Sequence, residues 1–234
     1  MLRKILTITS VLLLLSSPAL SQQVWANGEG TSMGIRVGFD MQNITGNDED
    51  GSDANNSLIP AFNVGMTVEL PLAPNFYLKP GLLYTTKGAE REQPIIGGTE
   101  TSTMTIRTSY IELPINLLYK PILGNGNLIV GFGPYVAMGV DGEAEVESGG
   151  TTENRDIIFQ SAVDASDPSE DVVYFRLWDA GANFIVGYEF ANRISLQLNA
   201  QLGLTDINPE REDLPNDESS LKNTGFGVSL GYRF

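Results

Sequence analysis

Residues 194–204 read ISLQLNAQLGL, and no other stretch limits the possible folds as much. In an extended chain Ile194, Leu196, Leu198, Ala200, Leu202 and Leu204 project to one side, and Ser195, Gln197, Asn199, Gln201 and Gly203 to the other. A period of two sustained this long is a strand pattern, since a helix would smear both sets around its axis. The chain ends the same way: in NTGFGVSLGYRF, Thr224, Phe226, Val228, Leu230, Tyr232 and Phe234 alternate with Gly225, Gly227, Ser229, Gly231 and Arg233.

Six further segments share the pattern. The first sets Met33, Ile35, Val37, Phe39 and Met41 against Gly34, Arg36, Gly38, Asp40 and Gln42; the second sets Phe62, Val64, Met66, Val68 and Leu70 against Asn63, Gly65, Thr67 and Glu69. In the third, Leu78, Pro80, Leu82 and Tyr84 oppose Lys79, Gly81, Leu83, Thr85 and Lys87, and Pro80, which lacks a ladder donor, predicts a local bulge or distortion. The fourth carries Ile111, Leu113, Ile115, Leu117 and Tyr119 against Glu112, Pro114, Asn116 and Lys120. The fifth opposes Leu128, Val130, Phe132, Pro134, Val136 and Met138 to Ile129, Gly131, Gly133, Tyr135 and Ala137. The sixth opposes Ala180, Ala182, Phe184, Val186, Tyr188 and Phe190 to Asp179, Gly181, Asn183, Ile185, Gly187 and Glu189. The expectation is an all-β, eight-stranded antiparallel up-and-down transmembrane β-barrel.

Two independent patterns place the apolar face outside. The polar face carries Arg36, Asp40, Glu69, Lys79, Glu112, Asp179, Glu189 and Arg233, a set too costly to turn toward lipid, while aromatics such as Tyr84, Tyr119, Tyr188, Phe190, Tyr232 and Phe234 frame the apolar face as interfacial girdles. Connections run long at residues 43–59, 88–104, 141–177 and 205–222 and short elsewhere, the asymmetry of short periplasmic turns and long external loops, with both termini periplasmic. Most of the 29 carboxylates behind the net charge of -15 lie in those four loops. Within 141–177, residues 157–160 and 172–177 are apolar enough to pair, so the fifth and sixth strands are expected to extend as a hairpin beyond the membrane. The acidic loop 43–59 lacks the glycine placement of an EF-hand and reads as a solvated loop.

The start, MLRKILTITSVLLLLSSPALSQQ, has a basic n-region, a short apolar core and small residues Ala19 and Ser21 before a cleavage point. Residues 1–21 are therefore read as a signal peptide, 22–31 as a flexible lead and 32–234 as the barrel domain. With Cys 0 there is no lipid attachment site, disulfide or thiolate metal site, and no basic stripe suits nucleic acid. With His 0, the Ser/His and Asp/His machinery of outer-membrane acyltransferases, phospholipases and omptin-type proteases is missing. No catalytic, cofactor or metal residues are assigned.

The eight lumenal charges are expected to pair across a filled interior, because an unpaired charge in a confined low-dielectric space is costly. A proton or ion path along Arg36, Glu112 and Glu189 is the rival use of the same residues. At the level of the whole chain, a narrow channel and a soluble lipocalin-like ligand-binding barrel are the alternatives to a non-enzymatic surface protein. Expected partners are outer-membrane lipid and lipopolysaccharide, the barrel-assembly machinery, and a secretion-system or surface protein.

Gly34-Ile35-Arg36-Val37-Gly38, the segment Leu83 to Gly88 (LYTTKG), Tyr110-Ile111-Glu112-Leu113-Pro114 and Gly131-Phe132-Gly133-Pro134-Tyr135 together resemble the PorT-type outer-membrane β-barrel domain of Bacteroidota. The resemblance spans about Ser32 to Phe234. It implies a barrel in the outer membrane and, from named members, an accessory role in a gliding-associated type IX secretion system. The ending Gly231-Tyr232-Arg233-Phe234 resembles the terminal signal read by the barrel-assembly machinery, through Tyr232 and Phe234.

Overall fold

A computed structural model describes residues 30–47, 51–94, 101–160, 162–163, 172–211 and 219–234. The expected signal peptide and the lead as far as residue 29 lie outside the described residues. The alternating segments form β1 (Ser32–Asn47), β2 (Ile59–Ala73), β3 (Phe76–Pro94), β4 (Thr101–Tyr119), β5 (Gly126–Ser148), β6 (Trp178–Glu189), β7 (Ile194–Gly203) and β8 (Ser220–Arg233). Each pairs antiparallel with the next, and β8 closes on β1 from Gly34↔Arg233 to Asn47↔Ser220. Closure leaves the ring without a free edge.

The alternation decides what each side faces. Phe39, Phe132, Leu198 and Phe226 point outward and are 56–60% exposed, whereas Asp40, Asn63, Glu112 and Gln197 point inward and are at most 6% exposed. A soluble ligand-binding barrel needs the opposite arrangement, so that reading is overturned. Aromatic pairs mark both rims: Phe76–Tyr119 at 4.9 Å, Tyr188–Phe190 at 5.0 Å and Tyr232–Phe234 at 5.3 Å on the short-turn side, and Phe62–Tyr84 at 5.9 Å on the loop side. Inside, glycine makes room for neighbours: a Cβ on Gly38 would strike the Asn63 amide, and one on Gly225 the Gln42 amide.

Pro80 interrupts the ladder without shifting it. Pairing of β2 with β3 skips from Thr67↔Gly81 to Leu70↔Leu78 at constant register, because a missing donor removes bonds but adds no residue. The register shifts fall at Pro71/Ala73 and at Ser109/Tyr110, where Tyr110 pairs Gly139 but Ser109 pairs Asp141. Val140 is the extra residue, and it exchanges the faces of β5: Tyr135, Ala137 and Gly139 are buried below it, Ala144 above it.

The long loops are shorter than expected because much of their length is sheet. β3 and β4 run on to Pro94 and from Thr101, β5 reaches Ser148, and a hairpin strand, Thr151–Phe159, continues from it. Residues 157–160 and 172–177 do come together, but through Asp156–Phe159 lying parallel to Val172–Phe175, not as the antiparallel hairpin foreseen. A second parallel pair, Glu210↔Ala162 and Arg211↔Val163, joins two of the external connections.

Candidate functional site: the lumen and its cap

Inward-facing positions bring ten charges into the barrel: Arg36, Lys79, Lys87, Lys120 and Arg233 against Asp40, Glu69, Glu112, Asp179 and Glu189. They form two groups. Near the short turns the signs alternate in a chain: Lys79 Nζ lies 3.3 Å from Glu69 Oε1, Lys120 Nζ lies 2.8 Å from both Glu69 Oε2 and Glu189 Oε2, and Arg233 Nη2 lies 2.8 Å from Glu189 Oε1. Each carboxylate therefore meets two cations, the geometry that offsets the desolvation of a buried ion pair.

The second group is built around Lys87, which is fully buried. Its ammonium donates to Asp179 Oδ2 at 2.9 Å and lies 3.2 Å from Glu112 Oε2. The Tyr135 and Tyr110 rings stand 4.2 Å and 5.3 Å from it, close enough for cation–π attraction. Asp179 accepts further bonds from Asn223 Nδ2 at 3.0 Å and Tyr135 Oη at 3.2 Å. Glu112 accepts from Gln201 Nε2 at 3.0 and 3.1 Å, and Asp40 accepts from Asn63 Nδ2. Hydrogen bonds to every carboxylate of this group reinforce the hold on its buried ions.

Small cavities interrupt this packing, among them one in each group. One, of about 30 Å³, lies beside Arg36, Asp40 and Glu112; the other, of about 10 Å³, lies beside Glu69, Lys79 and Arg233. Both are of the size of one or two waters.

Above Lys87 the interior changes character. Ile44 from β1, Ala89 from β3, Ala144 from β5, Ile157, Phe175 and Ile207 bury together, with Met104, Ile106, Phe159, Val173 and Leu221 packed around them. Phe159 also meets the Tyr110 ring edge-on at 5.7 Å, so the apolar cluster rests directly on the polar layer. The outer face at this height is polar: Glu90, Glu92, Arg107, Glu143 and Glu145 point outward, and Arg107 pairs with Glu145 at 3.5 Å while remaining 58% exposed.

Residues 21–208 match the family model described as outer membrane protein beta-barrel domain. The chain belongs to this family. No curated protein sequence matches the chain. Among solved structures, OprG of Pseudomonas aeruginosa is 11% identical, covering 88% of this chain and 97% of its own, with a TM-score of 0.45. Neisserial surface protein A is 9% identical over 88% and 100%, with a TM-score of 0.44. Ail, the attachment invasion locus protein of Yersinia pestis, is 14% identical over 88% and 100%, with a TM-score of 0.38.

As a member of the outer membrane protein beta-barrel domain family, the chain is an outer-membrane protein, and its sequence-derived residues can be placed in that frame. The structure brings Glu69, Lys79, Glu189 and Arg233 together at one end and Arg36, Asp40, Glu112 and Asp179 in the other group. Arg36, Glu112 and Glu189 do not form one line: Glu112 is held by Lys87 and Glu189 by Lys120 and Arg233, in separate groups. Lys87 and Lys120 lie outside the expected charge set, although the alternation puts both on the polar face. The motif residues converge where Lys87, from LYTTKG, meets Tyr110 and Glu112 from YIELP and Tyr135 from GFGPY. Tyr232 and Phe234 face outward at the short-turn rim, 42% and 60% exposed.

Proposed function

We propose that this outer-membrane barrel is a closed, non-enzymatic platform that holds a rigid β-structured surface above the membrane for contact with another surface or envelope component. The observation that carries the reading is the pairing of a lumen filled by ion pairs with an apolar cluster seated over it, while β3, β4 and β5 continue outward as sheet. A stiff projection lowers the ordering cost of binding relative to a floppy loop. Its outer side is acid-rich, with Glu90, Glu92, Glu143, Glu145 and Asp156 exposed or half-exposed. Lipid and lipopolysaccharide would surround the apolar belt, both termini would be periplasmic, and Tyr232 with Phe234 would serve the barrel-assembly machinery.

Crosslinking in intact cells, followed by purification of the tagged barrel and mass spectrometry, tests the platform. A partner crosslinked through β5 or the strand Thr151–Phe159 is expected; recovery of the barrel alone would overturn it. Planar-bilayer recording tests closure. A flat baseline is expected, and regular conductance steps abolished by substitutions at Lys87 or Glu112 would instead establish a channel.

A second reading is a PorT-like secretion accessory. It draws support from the YIELP and GFGPY elements, and stoichiometric co-purification of secretion-system subunits is the result it requires.

A further inference from the structure

The upper group of lumenal charges is one cation short. Lys87 serves both Asp179 and Glu112, at 2.9 and 3.2 Å, and Arg36 shares a cavity wall with Asp40, so three carboxylates face two cations. The group near the short turns has the opposite imbalance, but there the Arg233 side chain keeps 16% of its surface and sits at the barrel mouth. Asp40, Glu112 and Asp179 are 6%, 3% and 0% exposed, and buried charge without a counterion is strongly unfavourable.

Beside this group lies the cavity of about 30 Å³. Several side chains lining it have their amide nitrogens committed elsewhere: Asn63 donates to Asp40, Gln201 to Glu112 and Asn183, Asn199 to Ser229. Donation to carboxylates fixes which way the Asn63 and Gln201 amides are turned. Their oxygens, with those of Asn199 and Gln42, are buried and meet no donor; Gln42 and Asn63 are each only 3% exposed. Among the unpartnered atoms of the cavity wall that are as deeply buried as these four acceptors, one is a donor, Arg36 Nε. Neutral amide oxygens next to one uncompensated carboxylate suit a hard cation of single charge. A divalent ion would call for more carboxylates, and among the described residues no three of His, Cys, Asp and Glu are grouped to hold one.

We propose that the upper lumen binds one small monovalent cation of the sodium class, seated in this cavity on the Gln42, Asn63 and Gln201 oxygens beside the Asp40 and Glu112 carboxylates. A water needs at least about 10–15 Å³, so the volume takes the ion and one water, and the water accepts from Arg36 Nε. Bound there, the ion neutralises the layer on which the apolar cap rests.

The full-length barrel, refolded in zwitterionic detergent, is melted in sodium chloride and in choline chloride at equal ionic strength. Sodium is expected to raise the apparent Tm saturably, by at least about 3 °C. Glu112→Gln removes the uncompensated charge and is expected to abolish the response, whereas Glu145→Gln on the exposed outer face keeps it. Should Glu112→Gln fail to fold, ²³Na line broadening by the wild-type barrel, lost on unfolding in urea, reads the same site. Equal melting in the two salts, or no broadening, would overturn the proposal. Stabilisation that follows pH regardless of sodium would also overturn it, since a proton would then neutralise the carboxylate.

Discussion

The membrane-spanning part of the barrel and its outward extension are one continuous sheet with opposite polarity. On β1 the inward residues Arg36, Asp40 and Gln42 give way to Ile44, while the outward Ile35, Val37 and Phe39 give way to Thr45. On β3, inward Lys79 and Lys87 are followed by Ala89, and outward Leu82 and Tyr84 by Glu90 and Glu92. On β4 the change runs in reverse, from inward Met104 and Ile106 to Glu112 and Asn116. The difference teaches that the same ladder is stabilised by two solvents. In lipid the outer surface needs no burial and the interior must satisfy its own polar groups. In water the interior must bury apolar surface. Lys87 sits where the two regimes meet.

The sharpest way to break that boundary is Lys87→Met, which leaves Asp179 and Glu112 buried without their shared cation. A loss of about 3–5 kcal/mol in folding free energy is expected from urea titration in lipid vesicles, characteristic of removing one partner of a buried pair. If Lys87 were incidental to the lumen, the midpoint would hardly move.

A matched pair of arginines tests the polarity contrast itself. Leu198→Arg puts a charge on the lipid face at mid-strand of β7, where about 2–4 kcal/mol is expected. Thr105→Arg puts the same side chain on the outer face of the extension, opposite Glu90 and Glu145, and is expected to stay within about 0.5 kcal/mol. Equal penalties would mean that both surfaces face lipid.

The smallest effect belongs to Arg107→Ala. The Arg107–Glu145 pair is exposed at both ends, so its loss is expected to cost less than about 1 kcal/mol, with the difference vanishing in high salt.

The spanning strands were legible because a period of two with greasy and polar faces repeats eight times. The extension was not, because its charges suggested loops. Yet Glu143-Ala144-Glu145-Val146-Glu147 keeps the same alternation with polarity reversed, and Ala89-Glu90 begins the same reversal on β3. Reading alternation without fixing which side is apolar would have found these strands. Lys87 and Lys120 escaped the charge set because each lies at the end of its segment, the first against an apparent loop and the second against Pro121. The parallel pairing of Asp156–Phe159 with Val172–Phe175 left no local signal, because parallel partners meet only through an intervening crossover.

The single extra residue at Val140 makes β5 a matter of parity. Above it, adding or removing two residues would leave Ala144 indoors and Glu143 outdoors, whereas a change of one would exchange them. Length variation among relatives of this barrel should therefore come in even steps along β5, unless a second bulge restores the count.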